Sequence, residues 1–98
     1  MPESQQHRRI SNRIAKRDGV DYNSQKGPDV VRADRVTEVE IDPAKVKEGI
    51  GQVSRFQRQR YIAGPKAVQK EALEQTKGTG IGVRDANGNI VKRARRPS

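Results

Sequence analysis

No cysteine occurs anywhere in the chain, which removes disulfides, thiolate nucleophiles and cysteine-type zinc sites together. Histidine is nearly as scarce. His7 alone cannot build a histidine-rich metal site or a pair of acid–base imidazoles, and on a basic segment it reads as a phosphate contact or a solvated group. Tryptophan is missing, aromatic residues are limited to Tyr22, Phe56 and Tyr61, and only 31% of residues are apolar. The core must therefore be small. No apolar run approaches the length of a membrane span, and the first residues lack the apolar stretch of a secretory signal. A cytoplasmic protein that does not enter the membrane is expected. At 98 residues the chain accommodates one domain of marginal stability, which a homodimer interface would reinforce.

What the chain has in excess is positive charge, +9 in all. Residues 1–17 carry Arg8, Arg9, Arg13, Lys16 and Arg17 against Glu3. Residues 86–98 carry Lys92, Arg93, Arg95 and Arg96 with no acid. Between them, residues 18–85 hold 12 bases against 11 acids. A neutral body between basic ends suits a polyanionic partner, nucleic acid above all, with those arginines and lysines on backbone phosphates.

The apolar pattern predicts an α/β domain over residues 1–91 followed by a basic tail over 92–98. Ile10 and Ile14 define a narrow helix face over 4–17, stopped by Asp18-Gly19. A loop follows, with a short strand near Val20 and Tyr22. Asp29 to Ile41 reads as a hairpin whose valines fall on both faces, so the sheet should be covered by helices on both sides. Asp42-Pro43 opens a second helix with Val46, Ile50 and Val53 inward. Arg60 to Ala63 is a strand, and a third helix buries Val68, Ala72 and Leu73. Ile81 and Val83 form a strand that Asn87-Gly88, a type I′ turn signal, returns through Ile90-Val91. The predicted order is α-β-β-α-β-α-β-β, a mixed sheet flanked by helices. Gly78 to Gly82 is glycine-rich but lacks the lysine of a phosphate loop and leads into a strand.

The hairpin carries the chemistry. A turn centred on Ala33-Asp34 sets Val31 opposite Val36 and Asp29 opposite Glu38, and the strand period of two then turns Asp29, Glu38 and Glu40 to one face. Like charges facing each other in a ladder cost up to about 1 kcal/mol. A divalent cation, Mg²⁺ or Mn²⁺ held by Asp29 and Glu38, offsets that cost, since hard cations take carboxylate oxygen. Glu40 on the same face would position or deprotonate a water. Lys26, just ahead of the motif, would neutralise phosphate charge. The plain alternative is an exposed strand whose acids pair with Lys26, Arg32 or Arg35.

Pro28-Asp29, followed by Glu38-Val39-Glu40 and by Gln52-Val53-Ser54-Arg55-Phe56 on the next helix, resembles the PD-(D/E)XK nucleases of the restriction-endonuclease-like fold, in particular the RecB-type branch with its Gln-x-x-x-Tyr motif. The resemblance spans roughly residues 5 to 85. It implies a small restriction-endonuclease-like core, metal-dependent hydrolysis of phosphodiester bonds, DNA in preference to RNA, and roles for Asp29, Glu38, Glu40 and Gln52 in the site. Glu40 stands where the family usually has lysine, as in some type II restriction enzymes, and Phe56 stands where it usually has tyrosine. The rival expectations are a non-catalytic nucleic-acid-binding protein on the same fold and a ribosome- or RNA-associated protein of an unrelated α/β fold.

Overall fold

The computed structural model describes residues 4–23 and 27–95. Helix α1 (Gln5–Asp18) begins at Ser4, whose hydroxyl accepts the His7 N–H at 3.0 Å. It buries Ile10, Ile14 and Ala15, the stripe its spacing requires, and stops at Gly19 in the left-handed conformation. The segment around Val20 and Tyr22 is not a strand. It packs both side chains against the α1 core as irregular chain.

Strands β1 (Val30–Arg32) and β2 (Arg35–Val39) form the hairpin, with Val31 facing Val36 and Arg32 facing Arg35. After β2, Asp42 caps a single 3₁₀ turn at Pro43–Lys45, its carboxylate accepting the Ala44 N–H at 2.9 Å. Helix α2 (Val46–Val53) follows, then β3 (Gln59–Ala63), α3 (Lys66–Gln75), β4 (Gly82–Arg84) and β5 (Ile90–Lys92). The five strands lie in sequence order: β2, β3 and β4 are parallel, and β1 and β5 run antiparallel at the two edges.

Side-chain alternation then makes two apolar layers. Val36, Ile62 and Val83 meet Val46, Val53, Val68 and Ala72 beneath α2 and α3. Val30, Val39 and Ala63 meet Ile10, Ile14 and Ala15 beneath α1. The sheet is covered on both faces, so its strands are apolar on both sides. Leu73, expected inward, is 36% exposed on the outer side of α3. One apolar residue beyond Ala72 already lies past the narrow stripe that touches β4.

Asn87-Gly88 does not form a type I′ turn. Gly88 has φ +86° and no non-glycine residue among those described has positive φ, so Asn87 stays right-handed. Gly88 N–H instead bonds the Asp85 carbonyl at 3.0 Å, and the Asp85 carboxylate accepts the Asn87 and Asn89 N–H groups at 2.9 Å each. The loop over residues 85–89 is closed by a left-handed glycine, with a register shift beside it at Val83/Arg84.

The largest fully buried side chain is a charged one, Arg84. Its guanidinium makes two 2.8 Å bonds to Asp18, one to the Thr37 hydroxyl at 3.0 Å and one to the Gly88 carbonyl at 3.0 Å, and lies over the Tyr61 ring. Asp18, which closes α1 in the sequence, thus also ties α1 to β4.

Candidate functional site

Asp29 and Glu38 continue the hairpin register beyond its last paired residues. Glu38 Oε1 accepts the Asp29 N–H at 3.2 Å, and Asp29 Oδ2 accepts the Val39 N–H at 2.9 Å. Glu38 and Glu40, two apart, both point toward α2. The Glu40 N–H bonds the Ala63 carbonyl at 2.9 Å, which holds that residue against the end of β3.

Two glycines make room for this end of the hairpin, one beside the carboxylates and one beside the Glu40 backbone. A Cβ on Gly49 of α2 would sit 2.9 Å from Glu40 Oε2 and 3.3 Å from Glu38 Cγ. A Cβ on Gly64, just after β3, would run into the Glu40 carbonyl oxygen. Gly49 therefore acts as a cradle for two acids rather than only as a weak helix residue.

The acids are concentrated where water cannot disperse their charge. Burial first, and then the Asp29 carboxylate, push the Glu38 carboxyl up from 4.5 to about 10. Burial and Asp29 likewise raise Glu40 from 4.5 to about 7, against the opposing pull of His7 and of its hydrogen bond with Glu38. At neutral pH Glu38 keeps its proton and hydrogen-bonds Asp29. No lysine or arginine pairs with any of the three among the described residues. Arg32 and Arg35 pair with Asp34 instead, at 3.1 and 3.8 Å.

His7 joins the site from α1. Its Nε2 lies 3.2 Å from Asp29 Oδ2 and 2.9 Å from the Val39 carbonyl, so one N–H is shared between two acceptors. His7, expected from the sequence as a phosphate contact or a solvated group, is half-buried and fixes Asp29. It also occupies the Val39 carbonyl. As the side chains stand, no three His, Asp or Glu among the described residues form a ready metal cage. Glu38 is bonded to Asp29, and Asp29 is held by Val39 and His7.

Gln52 is exposed on α2, one turn beyond Gly49. Phe56 packs on the α2 core, with the Arg58 guanidinium 5.9 Å from its ring centre.

The basic residues divide differently from their order in the chain. Arg8, Arg9, Arg13 and Lys16 are exposed along α1, which runs from His7 at Asp29 to Arg17 at the β4–β5 loop. Arg13 is bonded to Asn87 Oδ1 at 3.0 Å and Arg17 to Asn89 Oδ1 at 2.6 Å. Lys92 is turned inward, its ammonium donating to the Thr76 carbonyl at 2.7 Å at the end of α3, where burial and the nearby Arg95 lower its pKa. Arg93 and Arg95 are exposed beyond it, while Ala94 between them is buried. Lys26 and Arg96 lie outside the described residues.

Comparison with protein-family models, with curated proteins and with solved structures finds no match for this chain.

Proposed function

We propose that this chain is a small nuclease-like domain with a restriction-endonuclease-like core, whose carboxylates take a divalent cation beside a phosphodiester of DNA. The observation that carries the proposal is the convergence of Asp29, Glu38 and Glu40 with His7 but no lysine or arginine as partner among the described residues, at a raised electrostatic cost that a cation relieves. The donor set fits Mg²⁺ or Mn²⁺, being all oxygen and carboxylate. Asp29 and Glu38 would hold the ion, with Glu40 beside them. Such an ion supplies an acidified water and offsets charge on the phosphate.

The chain's own groups do the rest. Val39 N–H and His7 fix the Asp29 carboxylate in one orientation. Glu40, with its pKa about 7, is matched to accept a proton at neutral pH. Gly49 keeps Glu40 against the site instead of in solvent. The exposed α1 arginines Arg8 and Arg9 follow His7 and supply attraction for the phosphate backbone.

A second reading, a non-catalytic nucleic-acid-binding protein on the same fold, is favoured by one feature. The Glu38–Asp29 hydrogen bond already closes the site with a proton in the cation's place. The experiment that divides the two is calorimetric titration of Mn²⁺ at pH 7 in two buffers of different ionisation enthalpy, combined with cleavage assays on linear, nicked and branched DNA. Proton release on Mn²⁺ binding, with cleavage, supports the nuclease. Neither heat nor cleavage at millimolar metal leaves the binding protein.

A further inference from the structure

The central stretch of the chain is neutral in number and polarised in space. Strand β2 begins at Arg35 and runs into Glu38 and Glu40, so its two ends bear opposite charge. The acids collect where the parallel strands end. Bases collect where they begin.

Arg32 faces Arg35 across the hairpin, and Arg35 faces Gln59 across the β2–β3 pair. Arg58 reaches over to donate to the Arg32 carbonyl at 3.1 Å. Arg60 donates to the Ser54 carbonyl at 3.0 Å and ends near Gly80, where a Cβ would lie 3.4 Å from its guanidinium and 3.0 Å from the Arg95 carbonyl. Arg95 in turn is fixed by its N–H to the Gly80 carbonyl at 2.8 Å. Lys92 lies close enough to Arg95 to feel its charge. Arg32, Arg35, Arg58, Arg60, Lys92 and Arg95 thus share one end of the sheet, with Asp34 the acid paired there. Even inside the cluster, Nε of Arg35 and Nε of Arg60 are buried without a hydrogen-bond partner among the described residues. Among the described residues Asp34 is the one acid ion-paired with these six cations, which repel one another unless an anion joins them.

We infer that this end of the sheet is a second nucleic-acid surface, which holds phosphodiester backbone at the opposite end of the strands from the acid cluster. Guanidinium groups suit it because each offers several donors in a plane that matches phosphate oxygens. Exposed Arg32 and Arg95 and the half-buried Arg58 supply the contacts, while Arg60 and Lys92 are committed to helix-end carbonyls and set the local potential. This inference rests on nucleic acid as partner and is independent of any metal at Asp29.

The test is anisotropy of a fluorescein-labelled DNA duplex, in EDTA, across a salt series from 50 to 300 mM. Wild-type protein is compared with a variant carrying Arg32→Gln, Arg58→Gln and Arg95→Gln. Loss of three phosphate contacts should lower the slope of log affinity against log salt by about 2 to 3 and weaken binding at 0.1 M salt by about tenfold or more. The three corresponding Arg→Lys changes should keep most of the slope. Should the triple Gln variant not fold, Arg95→Gln alone carries the test, with a slope change of about 0.9. An unchanged slope overturns the inference. So does polyglutamate that displaces the duplex as well as unlabelled DNA does at equal charge, which would assign the surface to an acidic protein. Because EDTA is present throughout, loss of metal binding or cleavage at the acid cluster leaves this result untouched.

Discussion

Replacing Glu38 by glutamine should stabilise the fold while abolishing its response to metal. The folded carboxyl titrates at about 10 against 4.5 in the ordinary state, chiefly through burial and then through Asp29. Below pH 4.5 the folded and unfolded chains both carry the proton, and the group costs nothing. Above it the unfolded chain releases the proton and the folded chain retains it, so stability falls as pH rises toward 10. The fall is about 1.4 kcal/mol per pH unit, or about 3 kcal/mol at neutrality. Solvent reaching the half-buried group screens this to about 2 kcal/mol.

Glutamine keeps the amide oxygen for the Asp29 N–H and offers an NH₂ to the Asp29 carboxylate, so both contacts of the protonated acid survive. Glu38→Gln should therefore raise the melting temperature at pH 7 by roughly 8 to 15 °C for a domain of this size. It should also flatten the dependence on pH between 5 and 9. Thermal melts by circular dichroism at pH 5, 7 and 9 in EDTA measure both effects. Mn²⁺ should stabilise the wild type at pH 7 and leave the variant unmoved. A variant that melts below wild type at pH 7 to 9, with the same pH slope, would refute the reasoning, because Glu38 would then be an ordinary ionised surface acid.

Three further outcomes follow from the same geometry. Gly49→Ala should push the Glu40 carboxylate outward into water, so that its pKa drops from about 7 toward 4.5 and metal affinity falls, while helix propensity repays up to about 1 kcal/mol of stability; side-chain NMR titration reads the shift. Glu40→Gln should abolish cleavage and leave DNA binding intact or tighter, and unchanged cleavage removes Glu40 from the chemistry. Arg84→Met should destabilise the protein by about 3 to 5 kcal/mol in urea denaturation by stranding buried Asp18, and adding Asp18→Asn should recover part of the loss.

Much of the hairpin was legible because strand geometry leaves little freedom. Once Val31 faces Val36, the period of two delivers Asp29 to Glu38 and turns Glu40 the same way. The helix faces of Ile10/Ile14 and Val46/Val53 were equally direct. His7 was not, since its contacts lie 22 and 32 residues away and depend on how α1 lies across the sheet. Arg84 was not singled out, since nothing local announces that Asp18 and Thr37 will surround it. The basic end of the sheet was hidden by arithmetic: counting 12 bases against 11 acids over residues 18–85 cancels groups that the fold separates. Lys92 shows the same limit, since only tertiary packing places Thr76 within its reach.

Separation of charge along the strands invites an explanation from stability alone. Helices α2 and α3 run opposite to the parallel strands, so their positive N-terminal ends lie at the acid end and their C-terminal carbonyls at the basic end. That accounts for Arg60 on the Ser54 carbonyl and Lys92 on the Thr76 carbonyl, and it helps Glu40 beside the first turns of α2. Magnitudes limit how far it reaches. A helix terminus contributes typically 0.3 to 1 kcal/mol per charge, whereas Glu38 alone costs about 2 kcal/mol at neutrality after screening. Among the described residues no helix end engages Arg32 or Arg58, which meet each other at the hairpin. The dipoles set which end takes which sign. They do not supply enough to gather three acids at one end and six bases at the other, and the proposed ligands, a cation at the first end and a phosphate backbone at the second, would make up the difference.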